Sequence, residues 1–355
     1  MAAEKFARDA DKFVLIGNDV LDTGQGEEVL NALLNLCTLV NFGNKGNVSI
    51  YPPREHCNSQ GVNDMGLTPE FLPGYQPASG DKKSDLFESC KDGTTKFLYI
   101  AGEDPIGSFY RPQLVKEALK TVPFLIVTDV FMTETARMAD LILPSSTYAE
   151  KDGTFTNMSR HVQGVISAGL PQGTSKPDFD ILIELAETLG KPFEHSTLLE
   201  IQQEIEQAVP IYQGVFPGKE SKQWIPATSN KKPALKINST ENTAEISHEN
   251  YPFTLQTNNH MFHIGSYSQR AKALVDIGPE CIAEIHPEDA KGLGVSSGDQ
   301  VIIESSSNKV EVKIKTTKIT SPGMIYVPKN WPEVAVNDLR NGEECLIQVK
   351  VSKSS

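Results

Sequence analysis

The chain has 355 residues, of which 39% are hydrophobic and 22% are charged, and its formal net charge is −13. This length suits about two or three domains, and the acidic balance argues against nucleic acid or an anionic membrane as a partner. An anionic small ligand stays compatible with it, because backbone N–H groups at turns and helix starts bind anions whatever the net charge.

The five cysteines are dispersed, and no Cys-x-x-Cys pair is present. This pattern argues against an iron–sulfur cluster or structural zinc site within the chain, and favours reduced thiols in a cytoplasmic protein. The first residues include acidic side chains and no apolar core, so no signal peptide is predicted. No apolar run approaches the roughly 18 residues of a membrane span, and we expect contact with an inner membrane only through partners in a complex.

The first part of the chain alternates short apolar runs with helical patterns. Strands are predicted to begin near residues 13, 97, 124 and 141, and helices are predicted over residues 27–40 and 112–120. This alternation indicates an α/β domain with a parallel sheet. Residues 44–77 lack a sustained period and are predicted to form a loop.

Each predicted strand ends in small or polar residues, and we expect these ends to form one polar crest where a ligand binds. The residues concerned are Gly17 and Asn18, Gly102 and Glu103, Thr128 and Asp129, and Ser145 and Ser146. Thr133 is predicted to cap a short helix over residues 134–139, with Glu134 in its first turn. A polar loop with Asp152, Gly153 and Asn157 follows the strand near residue 141.

The second part of the chain contains two helices, a linker and a run of strands. Asp178 is predicted to cap one helix, and Thr197 with Glu200 forms a capping box for the next. Residues 213–250 are polar and irregular, which indicates a linker between domains at 1–212 and 251–355. Six short strands with Gly and Pro turns then predict a small β-barrel; they cover residues 253–257, 282–285, 301–305, 310–316, 324–327 and 346–351.

Residues 129–157 resemble the signature of the molybdopterin oxidoreductase family, which reads D-x-F-x-T-E-T, then A-D-x-x-L-P, then E-K-D-G-T-F-x-N. Further matches follow in family order over nearly the whole chain: N-S-Q-G at 58–61, D-M-G at 64–66, L-P-G-Y at 72–75, G-E-D-P at 102–105, F-H-I-G-S at 262–266 with Arg270, H-P-E-D-A at 286–290, G-D-Q-V at 298–301 and N-D-L at 337–339.

The resemblance implies a parallel-sheet molybdopterin oxidoreductase domain, followed by a double-psi-like β-barrel that binds a dinucleotide. It implies a molybdopterin guanine dinucleotide cofactor with molybdenum or tungsten. One nucleotide would contact Gly102, Glu103, Asp104, Asp129, Thr133 and Glu134. The pterin or the other nucleotide would contact Asn157, His263, Gly265, Ser266 and Asn337, and the resemblance also assigns Asp152 and Gly153 to cofactor binding.

One departure from the family pattern concerns the metal-binding region. Cys37, Cys57 and Cys90 do not match the family's iron–sulfur motif, and we expect the chain to start after that region. The resemblance therefore implies a companion chain that supplies the iron–sulfur cluster and metal ligand, and it assigns no catalytic residue or metal ligand to this chain. The sequence P-R-E-H-C-N at residues 53–58 favours the G-type subunit of NADH-quinone oxidoreductases (complex I) over formate dehydrogenase alpha subunits.

Two other functions remain open from the sequence. One alternative is a scaffold subunit of a respiratory complex without a cofactor, and the other is the C-terminal part of a split formate dehydrogenase. Simpler interpretations also exist for the motifs: Asp129, Thr133 and Glu134 would only cap a helix, and residues 102–105 would form an ordinary turn. Hydrolase, nicotinamide-binding and P-loop functions lose support, because G-x-S-x-G, G-x-G-x-x-G after a strand and G-x-x-x-x-G-K-[ST] are absent.

Overall fold

The structure is a computed structural model that describes residues 2–6, 11–17, 20, 26–41, 48–51, 53, 56–78, 86–216, 222–223, 250–340 and 346–354. Its helices are α1 (Ala2–Phe6), α2 (Gly26–Asn41), α3 (Ser59–Asp64), α4 (Leu86–Lys91), α5 (Pro105–Ser108), α6 (Pro112–Thr121), α7 (Asp178–Thr188), α8 (Leu198–Ala208), α9 (Lys272–Ile277) and α10 (Pro287–Leu293). None of the helices within these ranges has the length and hydrophobicity needed to cross a lipid bilayer.

The strands fall into small sheets in the first half and one barrel in the second. They are β1 (Lys12–Leu15), β2 (Val48–Tyr51), β3 (Phe71–Leu72), β4 (Gln76–Pro77), β5 (Leu98–Ala101), β6 (Leu125–Asp129), β7 (Leu141–Pro144), β8 (Gly153–Thr156), β9 (His161–Val165), β10 (Lys222–Gln223), β11 (Phe253–Asn258), β12 (Ile282–Ile285), β13 (Gln300–Glu304), β14 (Lys309–Thr316), β15 (Met324–Pro328) and β16 (Leu346–Lys353).

The predicted parallel sheet is present and consists of β5, β6 and β7 in that order. Its central strand is an apolar run buried on both faces, as parallel sheets require, and Val127 is fully buried. Helix α6 covers it with Val115, Ala118 and Leu119, which share one helical face at i, i+3 and i+4. Pro112 opens this helix at its first position, where the missing N–H costs nothing.

The strand near residue 13 lies elsewhere, and the prediction of one crest with four strand ends was wrong for the described residues. There β1 pairs in parallel with β2 alone, and β2 lies in the segment that was predicted to be a loop. Phe13 and Leu15 are 70% and 71% exposed, so β1 is not a buried strand. Gly17 follows this separate pair, and Asn18 lies outside the described residues.

Two segments predicted to be loops are held in place by a buried polar network. The segment 56–78 contains α3 and the β3–β4 pair, and residues 153–165 form the antiparallel β8–β9 hairpin. The side-chain oxygen of Asn58 accepts a hydrogen bond of 2.8 Å from the Thr156 N–H. This contact joins residues far apart in sequence, so local patterns do not reveal it.

Helix ends agree in part with the prediction. Thr197 and Glu200 form the predicted capping box of α8. The prediction for Asp178 was wrong: α7 begins at Asp178 without a side-chain cap, and its carboxylate binds Ser145 and Lys151 instead. The helix predicted over 134–139 is a single 3₁₀ turn over Ala136–Met138.

The second half is a closed six-stranded barrel with the strand order β11-β15-β12-β14-β13-β16. Alternate residues of each strand point inward, as in β14, where Val310, Val312 and Ile314 are buried and the residues between them are more exposed. The β11–β15 and β12–β14 pairs are parallel, and the other pairs are antiparallel. Closure removes free strand edges, and the predicted barrel is confirmed.

The predicted linker is described only at residues 213–216, 222–223 and 250. Val215 packs with Val162, Val209 and Tyr212 in a small apolar cluster of the first half. The boundaries 1–212, 213–250 and 251–355 stay a prediction.

Candidate functional site

The two halves meet beside the carboxyl ends of the parallel sheet. After β5, the Asn337 side-chain amide donates to the carbonyls of Gly107 (3.4 Å) and Ser108 (3.3 Å). After β6, the Phe131 ring meets the Tyr267 ring at 5.2 Å, and the Arg270 guanidinium lies 4.5 Å from the Phe131 centroid. We call the space between these contacts the cleft.

The barrel side of the cleft is built by two loops that leave the same end of the barrel. They are residues 259–270 after β11 and residues 329–339 after β15, and these strands are parallel neighbours. The opposite side is formed by the residues that follow β5, β6 and β7.

The turn after β5 holds Gly102, Glu103 and Asp104. Gly102 has φ +66°, a conformation that favours glycine, and its N–H donates to the Thr128 carbonyl at 2.7 Å. The Asp104 carboxylate accepts from the N–H (3.1 Å) and hydroxyl (2.6 Å) of Thr135. Glu103 accepts a 2.6 Å hydrogen bond from Ser108. These side chains fix the shape of the turn.

The turn after β6 holds Asp129, Thr133 and Glu134, and each of these side chains makes a different kind of contact. The Asp129 carboxylate accepts from the Phe131 N–H at 3.1 Å, which fixes its orientation. Thr133 is buried and accepts from the Ala136 N–H at 3.1 Å, so it caps the 3₁₀ turn. Glu134 is exposed and forms a 2.8 Å ion pair with Lys116 of α6. This ion pair gives Glu134 a structural partner, which favours a structural role for Glu134 over direct contact with a ligand.

The end of β7 is tied to the start of α7. The Asp178 carboxylate accepts from the Ser145 hydroxyl at 2.7 Å and from the Lys151 ammonium, which also donates to the Ser146 carbonyl at 3.4 Å. The Ser146 hydroxyl is buried and has no hydrogen-bond partner among the described residues. An unpaired buried hydroxyl is unusual, because most buried polar groups in proteins are hydrogen-bonded.

Gly153 is the first residue of β8, Asp152 precedes this strand, and Asn157 lies in the turn between β8 and β9. Asp152 accepts from the Ser167 N–H at 2.7 Å, and Asn157 accepts from the His161 N–H at 3.0 Å. The space beside Gly153 is open with respect to the described residues, since none of their atoms lies within 4 Å of where a Cβ would stand. The two side chains shape the hairpin, and their contact with a cofactor stays a prediction.

His263 and Trp331 form the buried part of the barrel side. His263 is 3% exposed, its ring lies 4.4 Å from that of Trp331, and its Nε2 is 2.7 Å from the Gly278 carbonyl. A carbonyl only accepts, so Nε2 carries a hydrogen in this contact. Within the part of the chain that the structure describes, neither His263 Nδ1 nor Trp331 Nε1 has a hydrogen-bond partner.

Gly265 and Ser266 lie in a tight turn that Ser268 closes. The Ser268 hydroxyl accepts from the N–H groups of Ile264 (2.9 Å) and Gly265 (3.2 Å) and donates to the Gly265 carbonyl at 2.7 Å. The Ser266 carbonyl accepts from Arg270 at 2.9 Å.

The electrostatic environment of the cleft is acidic. Burial raises the pKa of the Tyr267 phenol, and the nearby carboxylates of Asp129 and Asp178 raise it further. Burial also raises the pKa of Asp338, while Lys116 opposes the shift. Such a surface suits hydrogen-bond donors, and Lys151 and Arg270 provide positive charge beside it.

The fit of a large polar cofactor can be tested on buried polar atoms that lack partners. Several lie on the two sides of the cleft: Ser146 Oγ, His263 Nδ1, Trp331 Nε1 and Asn337 Oδ1. They include donors and acceptors, as a ligand with a pterin and nucleotide groups requires. The residues present therefore fit such a group.

The described residues also allow a search for side chains that could bind a metal ion. Within the described ranges, no group of three or more His, Cys, Asp or Glu side chains is arranged to bind a metal ion. Burial raises the pKa of Cys281 to about 12, so its thiol stays protonated at neutral pH and is a poor metal ligand.

Sequence reasoning assigned no role to Phe131, Tyr267, Asn330 or Trp331, although all four shape the cleft. Phe131 and Tyr267 lie inside matched motifs or next to them, so their position was a usable signal. Asn330 and Trp331 follow β15 directly, at a barrel end whose neighbours only the strand order reveals.

Comparison with known proteins gives two family matches that together cover most of the chain. Residues 1–188 match the molybdopterin oxidoreductase family, and residues 253–345 match the molydopterin dinucleotide binding domain. Both agree with the motifs and confirm the expected fold class.

Several curated relatives are similar over most of this chain. The F420-dependent formate dehydrogenase subunit alpha of Methanocaldococcus jannaschii is 34% identical over 89% of the chain and 53% of its own length. The NADPH-Fe(3+) oxidoreductase subunit alpha of Geobacter sulfurreducens is 31% identical over 96% of this chain and 41% of its own length. A G-type subunit of the NADH-quinone oxidoreductase of Rhizobium meliloti is 28% identical over 95% of this chain and 42% of its own length. The chain spans about half the length of these relatives.

A solved structure has the same fold. Acetylene hydratase from Pelobacter acetylenicus aligns with a TM-score of 0.60 and 18% identity, over 76% of this chain and 46% of that one.

Proposed function

The chain belongs to the molybdopterin oxidoreductase family, and we propose that it is an oxidoreductase subunit that binds a molybdopterin guanine dinucleotide in the cleft between sheet and barrel. The observation that carries the proposal is the set of buried, unpaired donors and acceptors on both sides of the cleft. Unpaired buried polar atoms are costly, and a bound ligand that pairs with them offsets that cost.

On the sheet side, one nucleotide would contact the backbone of Gly102, Glu103 and Asp104 and the carboxylate of Asp129. Two donor groups of a guanine base match a carboxylate acceptor that Phe131 already orients. Thr133 and Glu134 would act indirectly, because Thr133 caps the neighbouring turn and Glu134 pairs with Lys116.

On the barrel side, His263, Gly265, Ser266 and Asn337 would contact the pterin or the other nucleotide. Asn337 has a buried carbonyl oxygen without a partner, while its amide is held by the turn after β5. Asp152, Gly153 and Asn157 would contribute from the hairpin. When bound, the cofactor and its molybdenum or tungsten supply the redox chemistry, and the residues of this chain bind and orient the cofactor and exclude water.

The proposal includes a companion chain that provides the iron–sulfur cluster and the metal ligand. Its support is that relatives are named as subunits and are about twice as long as this chain. By similarity to the G-type subunit of NADH-quinone oxidoreductase, the assembly would transfer electrons and would attach to an inner membrane only through other subunits.

A direct test is purification of the native assembly through a tag on this chain. We expect molybdenum or tungsten, pterin and a co-purifying chain with clustered cysteines. An assembly that lacks both metals and pterin would contradict cofactor binding and leave a scaffold role, and the absence of a cysteine-rich companion would contradict the partner assignment.

A second candidate function is formate oxidation by a split formate dehydrogenase. The observation in its favour is the higher identity to the formate dehydrogenase relative (34%) than to the NADH-quinone oxidoreductase relative (28%). The purified assembly should then reduce an artificial acceptor with formate as donor. A pterin-loaded assembly without this activity would exclude the candidate and leave the first proposal intact.

A further inference from the structure

Asn330, directly after β15, holds the loop at residues 259–270 at three points. Its side-chain amide donates to the Asn259 side-chain oxygen at 2.7 Å and to the His263 carbonyl at 3.2 Å. Its own carbonyl accepts from the Gln269 side chain at 2.8 Å. These contacts reach the beginning, middle and end of the loop.

The backbone of Asn330 has φ +78°, in the left-handed region. Asparagine tolerates this region better than most residues with a Cβ, and glycine tolerates it best. The conformation and the side-chain contacts are therefore two separate contributions of one residue, and substitutions can separate them.

The loop itself consists of two short turns. Backbone bonds between His260 and His263 close the first turn, and the Ser268 hydroxyl closes the second. Neither set of bonds fixes the turns relative to the barrel. Besides Asn330, His263 connects the loop to its surroundings, through the Gly278 carbonyl and the Trp331 ring. Met261 and Ile264 on the loop are 82% and 64% exposed, so packing contributes little at these positions.

We propose that Asn330 is a positioning residue of the barrel side of the cleft: its amide helps to fix the loop that carries His263, Gly265 and Ser266 in the conformation that binds the cofactor. The link to a cofactor rests on the proposed function, whereas the anchoring of the loop rests on contacts of this chain alone. Asn330 is a positioning residue because it acts through the loop.

Two variants separate anchoring from backbone conformation. Asn330→Gly keeps a residue suited to positive φ and removes the two amide bonds. Asn330→Ala removes the same bonds and adds backbone strain, so it should also lower the stability of the barrel. A purely conformational role predicts that Asn330→Gly behaves like the wild type.

The first measurement is amide hydrogen exchange of the full chain. In Asn330→Gly we expect exchange in residues 259–270 to accelerate about 10- to 100-fold, the effect of two lost hydrogen bonds. Exchange in the β13–β14 hairpin is the internal control and should not change. Wild-type exchange in residues 259–270 of Asn330→Gly would overturn the proposal.

The second measurement is the pterin and guanosine monophosphate content of the assembly purified through each variant. We expect about tenfold lower occupancy in Asn330→Gly, with unfolding of the barrel unchanged. Faster loop exchange with unchanged occupancy would overturn the link to the cofactor. If the wild type holds no pterin, the proposed function fails, while the exchange measurement still decides whether Asn330 anchors the loop.

Discussion

Asp64 is a fully buried carboxylate, and its hydrogen-bond partners in the structure are neutral side chains. It accepts from Gln60 at 2.7 Å, from the Tyr75 hydroxyl at 2.6 Å and from the Tyr212 hydroxyl at 2.9 Å. Tyr212 also lies 2.7 Å from the Thr156 hydroxyl. The D-M-G motif therefore ties the segment 56–78 to the β8–β9 hairpin beside the cleft.

We predict that Tyr212→Phe lowers the free energy of unfolding by about 1–3 kcal/mol, because it removes a donor from a buried carboxylate. Urea unfolding at pH 7 measures the effect. Tyr148→Phe is the matched control. Because Tyr148 is 61% exposed, this substitution should change the free energy of unfolding by less than about 0.5 kcal/mol. Equal effects of the two substitutions would contradict the role of the network.

The same residue gives a pH dependence. Burial is the main cause that raises the pKa of Tyr212 above its ordinary value of 10.0, and Asp64 adds to it. A group whose pKa is raised on folding stabilises the protein fully below its unfolded pKa, and this contribution falls as pH rises above it. The wild type should lose more stability than Tyr212→Phe between about pH 9 and 11, and parallel curves would refute this assignment.

At the scale of elements, Lys151 and Asp178 connect β7 to α7. Their side chains are 31% and 35% exposed, and Asp178 also accepts from Ser145. We predict a coupling energy of about 1–2 kcal/mol in a double-mutant cycle of Lys151→Gln and Asp178→Asn, because the charged hydrogen bond is partly shielded from water.

The exposed pair Lys272–Asp276 is the control for this cycle. Its side chains are 87% and 60% exposed, so its coupling should not exceed about 0.5 kcal/mol. If the two pairs give the same coupling, Asp178 does not hold the end of β7 in the way the structure indicates.

Elements with a strong local pattern could be predicted from the sequence, and elements defined by distant partners could not. β14 alternates buried and exposed residues along its length, and α8 carries its capping box within four residues. The β8–β9 hairpin depends on Asn58, whose partner Thr156 is 98 residues away. Asp178 is a residue type that often caps helices, but its carboxylate accepts hydrogen bonds from Lys151 and Ser145 instead.

At the scale of the molecule, the barrel should fold without the α/β half. It is closed and has its own core, which includes the fully buried side chains of Leu255, Ile285, Val301 and Ile325. We predict that residues 250–355 alone show one cooperative urea transition, with a free energy of unfolding of about 5 kcal/mol or more.

Substitutions in the isolated barrel provide the check. Ile285→Ala should cost about 2–5 kcal/mol, whereas Ile319→Ala, at a position 88% exposed, should change stability by less than about 0.5 kcal/mol. A fragment without a cooperative transition would contradict an independent second domain.

The residue types of the candidate site could be predicted from motif order, but their contacts could not. Glu134 was grouped with Asp129, yet it pairs with Lys116 on α6. Trp331 and Asn330 lie in no quoted motif, and they reach the cleft because β15 runs parallel beside β11. A linear pattern identifies the strand ends, whereas the sheet order decides which ends face each other.

The central claim is that this chain holds a guanine-containing pterin cofactor between its sheet and its barrel. The most direct measurement is the pterin and guanosine monophosphate released per chain from the native assembly, for the wild type, Asp129→Ala and the exposed turn control Asp92→Ala. We predict stoichiometric release from the wild type and the control, and about tenfold less from Asp129→Ala. No pterin in the wild type, or full release from Asp129→Ala, would contradict the claim.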